Sequence, residues 1–453
     1  MKISNFKVGP ILGSVTKDSA HIFGRGKSSK KKSSFGVYRF KEANTTSWSA
    51  PIIRYQQPHF DYSSVCVNSA LQPATRYEYQ SGYILSSEGV SIDPEDLQWD
   101  KVEIHNFKTP SDDNVSTVTF AFGSCRYLLK LFMGSIFDSR GDKVFGSMVK
   151  EGLDQVLMLG DQIYADDLNI FGADDTVDEY LKRYRDVFSQ PNFSKLVSST
   201  ATYMTLDDHE IEDNWPSNTS KKDWLKKYPA AMHAYKIYQM SHSPAATLNE
   251  NKNKIKNVGN NYWYKMTNGC CDFFVMDVRT QRIDNKIIND KQLNELLDWL
   301  DDGSGRYKFI ATSVPFFPDY SKVNNDKWSG YQEQRNIILD FISDKNINKV
   351  VFLSGDVHAS MAAELTRSDN PEFKVTSIVS SPFFWPYPHP NNDTFQMSGQ
   401  LCGHEHIYIN KLMDIFNDEN YAKISASPNK LEIEIKSRKG KLIQNKEIIF
   451  ENS

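Results

Sequence analysis

The sequence predicts an all-β sandwich of fibronectin or immunoglobulin type over residues 1–112, followed by an α/β domain over 113–453 that ends in a β-hairpin. Three observations predict it. The first stretch consists of short alternating strands punctuated by Gly, Pro, Asn and Ser. After KTPSDDNVS the strands become continuous apolar runs, as in strands buried on both faces. Segments with apolar residues at i, i+3 and i+4 separate those runs, so helices cover the sheets. A chain of 453 residues is long enough for two or three domains.

In the first domain SAHIFGRG, FGVYRFK, SSVCVNSAL and TRYEYQSGYIL read as strands. The basic run GRGKSSKKKSS, from Arg25 to Lys32 at its centre, reads as a solvated hairpin loop, with an anion-binding loop as the alternative. In the second domain VTFAFGSC (118–125), GLDQVLMLGD (152–161), ATYMTLDDHE (201–210), CCDFFVMDVRT (270–280), YKFIATSVP (307–315) and NKVVFLSGDVH (348–358) are short apolar strands ending in polar clusters. EYLKRYRDVFSQ puts Tyr180, Tyr184, Val187 and Phe188 on one helical face, and AAMHAYKIYQM, DKQLNELLDWL and YQEQRNIILDFI have similar spacing. KLEIEIKSRKGKLIQNKEIIF reads as a hairpin turning near Lys439-Gly440, able to extend a sheet of either domain.

Composition narrows the function classes. The formal net charge of −4 gives no global field for nucleic acid or an anionic membrane. No run reaches the roughly 18 apolar residues of a membrane helix, and the N-terminal MKISNFKVGPILGSV lacks the pattern of a signal peptide. The five cysteines have no framework spacing. The expectation is a soluble, cytoplasmic chain, with export by another route left open.

Four strand ends carry groups suited to metals: Ser124-Cys125-Arg126, Gly160-Asp161-Gln162-Ile163-Tyr164, Asp207-Asp208-His209-Glu210 and Gly355-Asp356-Val357-His358. In an open α/β sheet the carboxyl ends of parallel strands lie along one edge, so these groups can converge despite their separation in sequence. Carboxylates suit hard cations, imidazole suits borderline metals, and thiolate with phenolate suits an oxidised iron-like ion. Singly, each has a plainer reading: a turn for Gly-Asp, a helix start for Asp207–Glu210, a structural histidine for His358, a small buried hydrophobe for Cys125. Their order along the chain makes the case.

FGSCRY, LGDQIYADD, LDDHEIEDNW, MDVRTQR, DKWSGYQEQR and LSGDVHAS together resemble the PhoD-like phosphatases, within the calcineurin-like metallophosphoesterases. GSVTKDSAHIFGRG and LQPATRYEYQ are similar to that family's N-terminal sandwich, and the likeness runs from about residue 5 to 415. The resemblance implies a metallophosphoesterase core with a binuclear Fe3+ and Ca2+ centre, Mn2+ or Zn2+ being possible substitutes. It implies that Asp161 bridges the metals, that Cys125, Tyr164 and His358 hold the iron, and that Asp208 and Asp356 serve the calcium, with Asn214 beside it. It further implies His209 and Arg126 as catalytic groups on the phosphate, the histidine oriented by a neighbouring carboxylate. The implied activity is hydrolysis of phosphate monoesters or diesters by a metal-bridging hydroxide, as in an alkaline phosphatase or phosphodiesterase.

Asp166 and Asp167 read equally as supporting partners or as surface charge. Gly403-His404-Glu405-His406 also looks like a metal motif, but no apolar strand precedes it. It leaves a mononuclear hydrolase centred on His404 and His406 as one alternative, and an inactive binding protein on the same fold as another. SPFFWPYPHP (381–390) reads either as the wall of a substrate pocket or as a rigid surface loop.

Overall fold

The computed structural model describes the chain apart from residues 28, 30, 88–89, 132–135, 138, 167–172, 218, 321–325 and 451–453, so Asp167 lies outside the described residues. Two antiparallel sheets open the chain. One orders Val8–Val15, Ala20–Arg25 and Ser63–Asn68; the other orders Ile52–Gln56, Ser33–Glu42, Arg76–Ser86 and Ile104–Lys108. Tyr38, Phe40, Tyr79 and Phe107 are buried with Ile22 and Phe23 in one apolar cluster, so the inward positions of both sheets form a core.

That cluster continues into the rest of the chain. The Tyr203 hydroxyl donates to the Val15 carbonyl (3.2 Å), and the Tyr79 hydroxyl donates to the Ser198 carbonyl (2.5 Å). Asp61 is buried and accepts from Arg25 (2.9 and 3.0 Å), Arg185 (2.8 Å) and Tyr238 (2.6 Å). Burial alone would raise its carboxyl; the Arg25, Tyr238 and Arg185 bonds outweigh burial and hold it below the ordinary range.

Two mixed sheets form the α/β part. The first orders Ala201–Thr205, Gln155–Leu159, Val118–Gly123, Asn420–Ser427, Lys430–Ser437 and Leu442–Ile449. Its first three strands are parallel. The C-terminal hairpin therefore extends this sheet, turning through Gly440 at φ +77°. The second orders Tyr264–Asn268, Cys271–Val275, Tyr307–Ala311, Val350–Ser354, Lys374–Val379, Ser360–Arg367, Ile407–Phe416 and Gly399–Gln400, with Cys271–Val275 through Lys374–Val379 parallel. Phe120 of the first sheet meets Phe273 and Phe309 of the second edge-on at 5.3 and 5.1 Å, which joins the sheets through aromatic contact.

Helices cover the outer faces where the spacing predicts them. Val177–Phe188 buries Tyr180, Tyr184, Val187 and Phe188 behind a Thr176/Glu179 capping box. Asn289 caps Asp290–Leu300, and Gln332–Asp344 buries Ile338, Leu339 and Ile342. Lys227–Tyr235 runs into a π-turn over Lys236–Met240. Among the described residues no helix is long and apolar enough to cross a membrane.

Candidate metal centre

The parallel strands of both sheets end at one place. The loop after Val118–Gly123 is stitched to the loop after Gln155–Leu159, the Arg126 amide donating to the Asp161 carbonyl at 2.8 Å. Glycine permits the convergence. A Cβ on Gly160, at φ +90°, would stand 2.3 Å from the Asp207 Cβ, and one on Gly355 would stand 2.1 Å from the Ser124 Oγ. The Gly that precedes Asp161 and the Gly that precedes Asp356 are thus close-approach residues.

Cys125, Asp161, Asn214, Asp356 and His358 all adopt left-handed backbone, with φ of 58°, 53°, 59°, 70° and 52°. Few non-glycine residues do so, and those that do cluster at functional sites. Three of the strands therefore turn sharply just past their ends, at Cys125, Asp161 and Asp356.

Asp161, Asp207, Asp208 and Asp356 each bring a carboxylate oxygen into a set lying within 4.8 Å of one another, and Asp161, Asp208 and His209 form a second such set. Burial, against the opposing charge of His209 and reinforced by Asp207, Asp208 and Glu210, pushes the Asp161 carboxyl well above its ordinary range. Burial likewise pushes Asp356 up to about 7, partly offset by Lys327. Asp208 goes the other way: the charges of Arg279 and His209 overcome its burial and lower it. Four carboxylates held this close and this dry call for positive charge.

The chain supplies part of that charge. Arg279 is fully buried; its Nε donates to Asp207 at 2.5 Å, its Nη1 and Nη2 grip Asp326, and the same Nη2 lies 3.3 Å from Asp208. Lys327 pairs with Asp356 and with Asp326. Glu210 braces the floor, accepting from the amides of Asp161 (3.0 Å), Gln162 (2.6 Å) and Asp207 (2.9 Å).

Asp161 Oδ1, Asp207 Oδ2 and His358 Nε2 are buried without a hydrogen-bond partner among the described residues. Orphaned acceptors aimed into a carboxylate cluster fit a cation. Burial above all holds the His358 imidazole neutral, its pKa lowered to about 3, which leaves the Nε2 lone pair free for a metal.

The sequence-predicted residues fall into four groups. Asp161, Asp208, Asp356 and His209 come together as described. Cys125, Tyr164 and His358 adjoin them: the Cys125 Sγ is 3.3 Å and the Tyr164 hydroxyl 3.4 Å from Asp161 Oδ2. Ser381 links the other two, accepting from the His358 amide (3.1 Å) and donating to the Cys125 Sγ (3.1 Å). Burial, then the Asp161 and Asp356 charges, pushes the Cys125 thiol well up, so a thiolate there needs a cation beside it. Asn214 is one bond removed. Its amide donates to Asp208 (2.6 Å) while its side-chain nitrogen donates to Asp213 (2.9 Å).

Arg126 is turned away, contrary to the phosphate role expected of it. Its guanidinium is buried between Phe145 and Phe193, 4.5 and 4.1 Å from the ring centroids, with Asp142 at 3.6 Å. Cation–π packing and that carboxylate place it inside the fold rather than in the cleft. His404 and His406 are also elsewhere: His404 bonds Asp340 (3.2 Å), and neither belongs to a close ligand set among the described residues.

Asp207, Arg279 and Lys327 are site residues that the sequence reading did not single out. Asp207 directly precedes Asp208, and the other two lie in MDVRTQR and DKWSGYQEQR, where a basic residue beside carboxylates was the available signal. Asp166 proves to be a partner of His209, at 2.7 Å from Nδ1. The 381–390 loop stands over the site: Trp385 stacks on His358 at 3.9 Å and lies 5.7 Å from Tyr164.

The sequence model of the PhoD-like phosphatases matches residues 129–435, well over half of the chain. The chain belongs to the PhoD-like phosphatase family. It is similar to alkaline phosphatase D of Bacillus subtilis (strain 168), with 26% identity over 360 residues, covering 65% of this chain and 58% of that protein. The PhoD-like chain thus spans a little under three fifths of its curated relative's length. A solved structure described as that of PhoD superposes with a TM-score of 0.70 at 20% identity, covering 95% of this chain and 86% of that one. That likeness bears on the fold, and it agrees with a sandwich preceding a metallophosphoesterase core.

Proposed function

We propose that this PhoD-like chain hydrolyses phosphate monoesters, diesters or both at a binuclear metal centre. The observation that carries the reading is the close set of four carboxylates, Asp161, Asp207 and Asp208 buried and Asp356 half-buried, with orphaned oxygens and a neutral His358 beside them. The curated relative's name, alkaline phosphatase D, supports the same chemistry.

Cys125, Tyr164, His358 and Asp161 would hold an oxidised iron, and Asp208 and Asp356 a calcium that shares Asp161, with Asn214 nearby; manganese or zinc are substitutes in either place. Bound there, the two cations would supply an activated water and neutralise charge on the phosphate.

The side chains do the rest. Asp166 fixes His209 through Nδ1, leaving Nε2 to carry the proton that the departing oxygen takes. Burial opposes a charged ring, but Asp208, Asp161 and Asp166 together raise the His209 pKa well above its ordinary value, so the proton is held in place. Arg279 keeps Asp207 and Asp208 aligned, and Trp385 with Tyr164 restricts bulk water.

The test is hydrolysis of a chromogenic phosphate monoester beside its diester, with elemental analysis of the same sample and an Asp161→Ala control. Activity with about two metals per chain, lost in the control, is the expected result. One metal per chain would favour the mononuclear alternative. No activity and no bound metal after supplying iron, calcium, manganese and zinc would favour a binding protein.

A further inference from the structure

A separate cavity of about 560 Å³ lies between the first antiparallel sheets and the helical layer, remote in sequence from the strand-end loops. Its walls come from Ile52–Gln56 and the start of Ser63–Asn68 on one side. On the other they come from Lys227–Tyr235, its π-turn and the Ile255–Val258 strand. The volume suits a small organic ligand, and junctions between structural units are common places for one.

Its charge is one-sided. Arg54, Lys236, Lys254 and Lys256 line the cavity together with His59 and His233, and no carboxylate does. The chain as a whole holds 57 acidic against 53 basic residues, so this is not its average surface. Among the described residues none of the four cations has an ion pair; Arg54 donates to the Asn253 and Ile53 carbonyls (2.7 and 3.4 Å) and Lys236 to the Asn260 side chain (3.0 Å). Lys226 and Lys227, at the start of the helix that leads to Lys236, are by contrast paired with Asp175 and Glu212. Asp61 lies behind the wall, but Arg25, Arg185 and Tyr238 occupy its carboxylate. The Arg54 Nε is buried with no partner.

The remaining lining mixes aromatic and aliphatic side chains with Gln57, Asn257 and three serines. Phe60 and Tyr55 are 46% and 51% exposed and line the cavity. His59 faces His233 with ring centroids 4.9 Å apart. Burial, then the charges of His59 and Lys236, lowers the His233 pKa, in keeping with a locally positive field.

We propose that this cavity binds a nucleotide-sized phosphorylated molecule, its phosphates on Arg54, Lys236, Lys254 and Lys256 and its ring against the exposed aromatic side chains. Unpaired guanidinium and ammonium groups around a half-enclosed space are suited to phosphate, and aromatic faces are suited to a base. The site is independent of the strand-end centre.

Calorimetric titration with adenylyl imidodiphosphate, a triphosphate analogue whose β–γ bridge resists hydrolysis, tests it on the full chain, with the probe checked for integrity afterwards. Wild-type protein and an Asp161→Asn variant should bind alike, because the probe's site is not the carboxylate cleft. Lys254→Glu with Lys256→Glu changes two exposed residues and should weaken binding at least tenfold with unfolding temperature unchanged; Arg54→Gln should weaken it several-fold. Binding that persists in Lys254→Glu/Lys256→Glu but vanishes in Asp161→Asn would overturn the proposal, as would no saturable binding at millimolar probe. Tripolyphosphate binding as tightly as the nucleotide would overturn the part assigned to the aromatic side chains.

Discussion

Asp166 holds His209: its Oδ2 lies 2.7 Å from Nδ1, and the imidazole stands 4.3 Å from the Tyr164 ring. The carboxylate fixes which nitrogen carries the outward-facing proton. Asp166→Asn keeps the shape but weakens support of the charged ring. We expect kcat to fall by about 10- to 100-fold with KM little changed. The loss should grow as the leaving group becomes more basic, since a poor leaving group needs the proton most. An equal loss across a leaving-group series would rule out this role for Asp166.

Arg279 is the second dependency. It is fully buried and faces Asp207, Asp208 and Asp326 together. Removing one member of a buried charged set strands the others, at a cost of about 3–5 kcal/mol. Arg279→Met should therefore lower the denaturant midpoint strongly while leaving the denaturant dependence unchanged. Arg279→Lys should recover little, because a single ammonium cannot reach Asp207 through Nε while forking onto Asp326. Full recovery by lysine would show that charge alone matters there.

Much of this arrangement was legible in the sequence, because strand-end chemistry is local. Apolar runs ending at Gly160 and Gly355 announce both the buried strand and the acid that follows it, and the family-specific words around them supply Cys125, Tyr164 and His358. What the sequence hides is lateral. Arg279 and Lys327 reach Asp207 and Asp356 from other strand ends, and no spacing rule encodes that approach. Arg126 was expected on phosphate from the family resemblance; only the packing of Phe145 and Phe193 shows that its guanidinium points inward. Val8–Val15 carried no clean alternation because both of its faces are covered, Ile11 through Val15 all being buried, with the Val15 amide reaching the Tyr203 hydroxyl.

His21 and His242 make stability pH-dependent away from the metal centre. Burial lowers the His21 pKa to about 4, partly offset by a bond to the His242 backbone, and burial with the His21 charge lowers His242 to about 3. The unfolded chain takes up these protons near pH 6.5, whereas the folded chain resists them. Their contribution is therefore complete above the unfolded value and is lost progressively as pH falls toward 4. For His21 the shift corresponds to roughly 3 kcal/mol. His21→Gln removes one titrating group, so the slope of stability against pH between 6.5 and 4 should flatten. Equilibrium denaturation across that interval measures it, and an unchanged slope would contradict the assignment.

Gly355 tests whether the centre depends on backbone closeness rather than on ligand identity. A Cβ there would stand 2.1 Å from the Ser124 Oγ, 2.4 Å from the Ser124 Cβ and 3.3 Å from the Leu159 carbonyl oxygen. The same Ser124 hydroxyl accepts the Asp356 amide at 2.8 Å, so the contact sits between the loop bearing Cys125 and the loop bearing Asp356 and His358. Gly355→Ala must part those loops. Overpacking of this kind costs about 1–3 kcal/mol, and every ligand type stays in place. We expect lower stability and reduced metal retention in elemental analysis after dialysis against a weak chelator. Adding Ser124→Gly clears the nearest side-chain atoms and should restore part of the retained metal. If Gly355→Ala alone retains metal fully, the loops can separate without cost and the close approach is not what assembles the site.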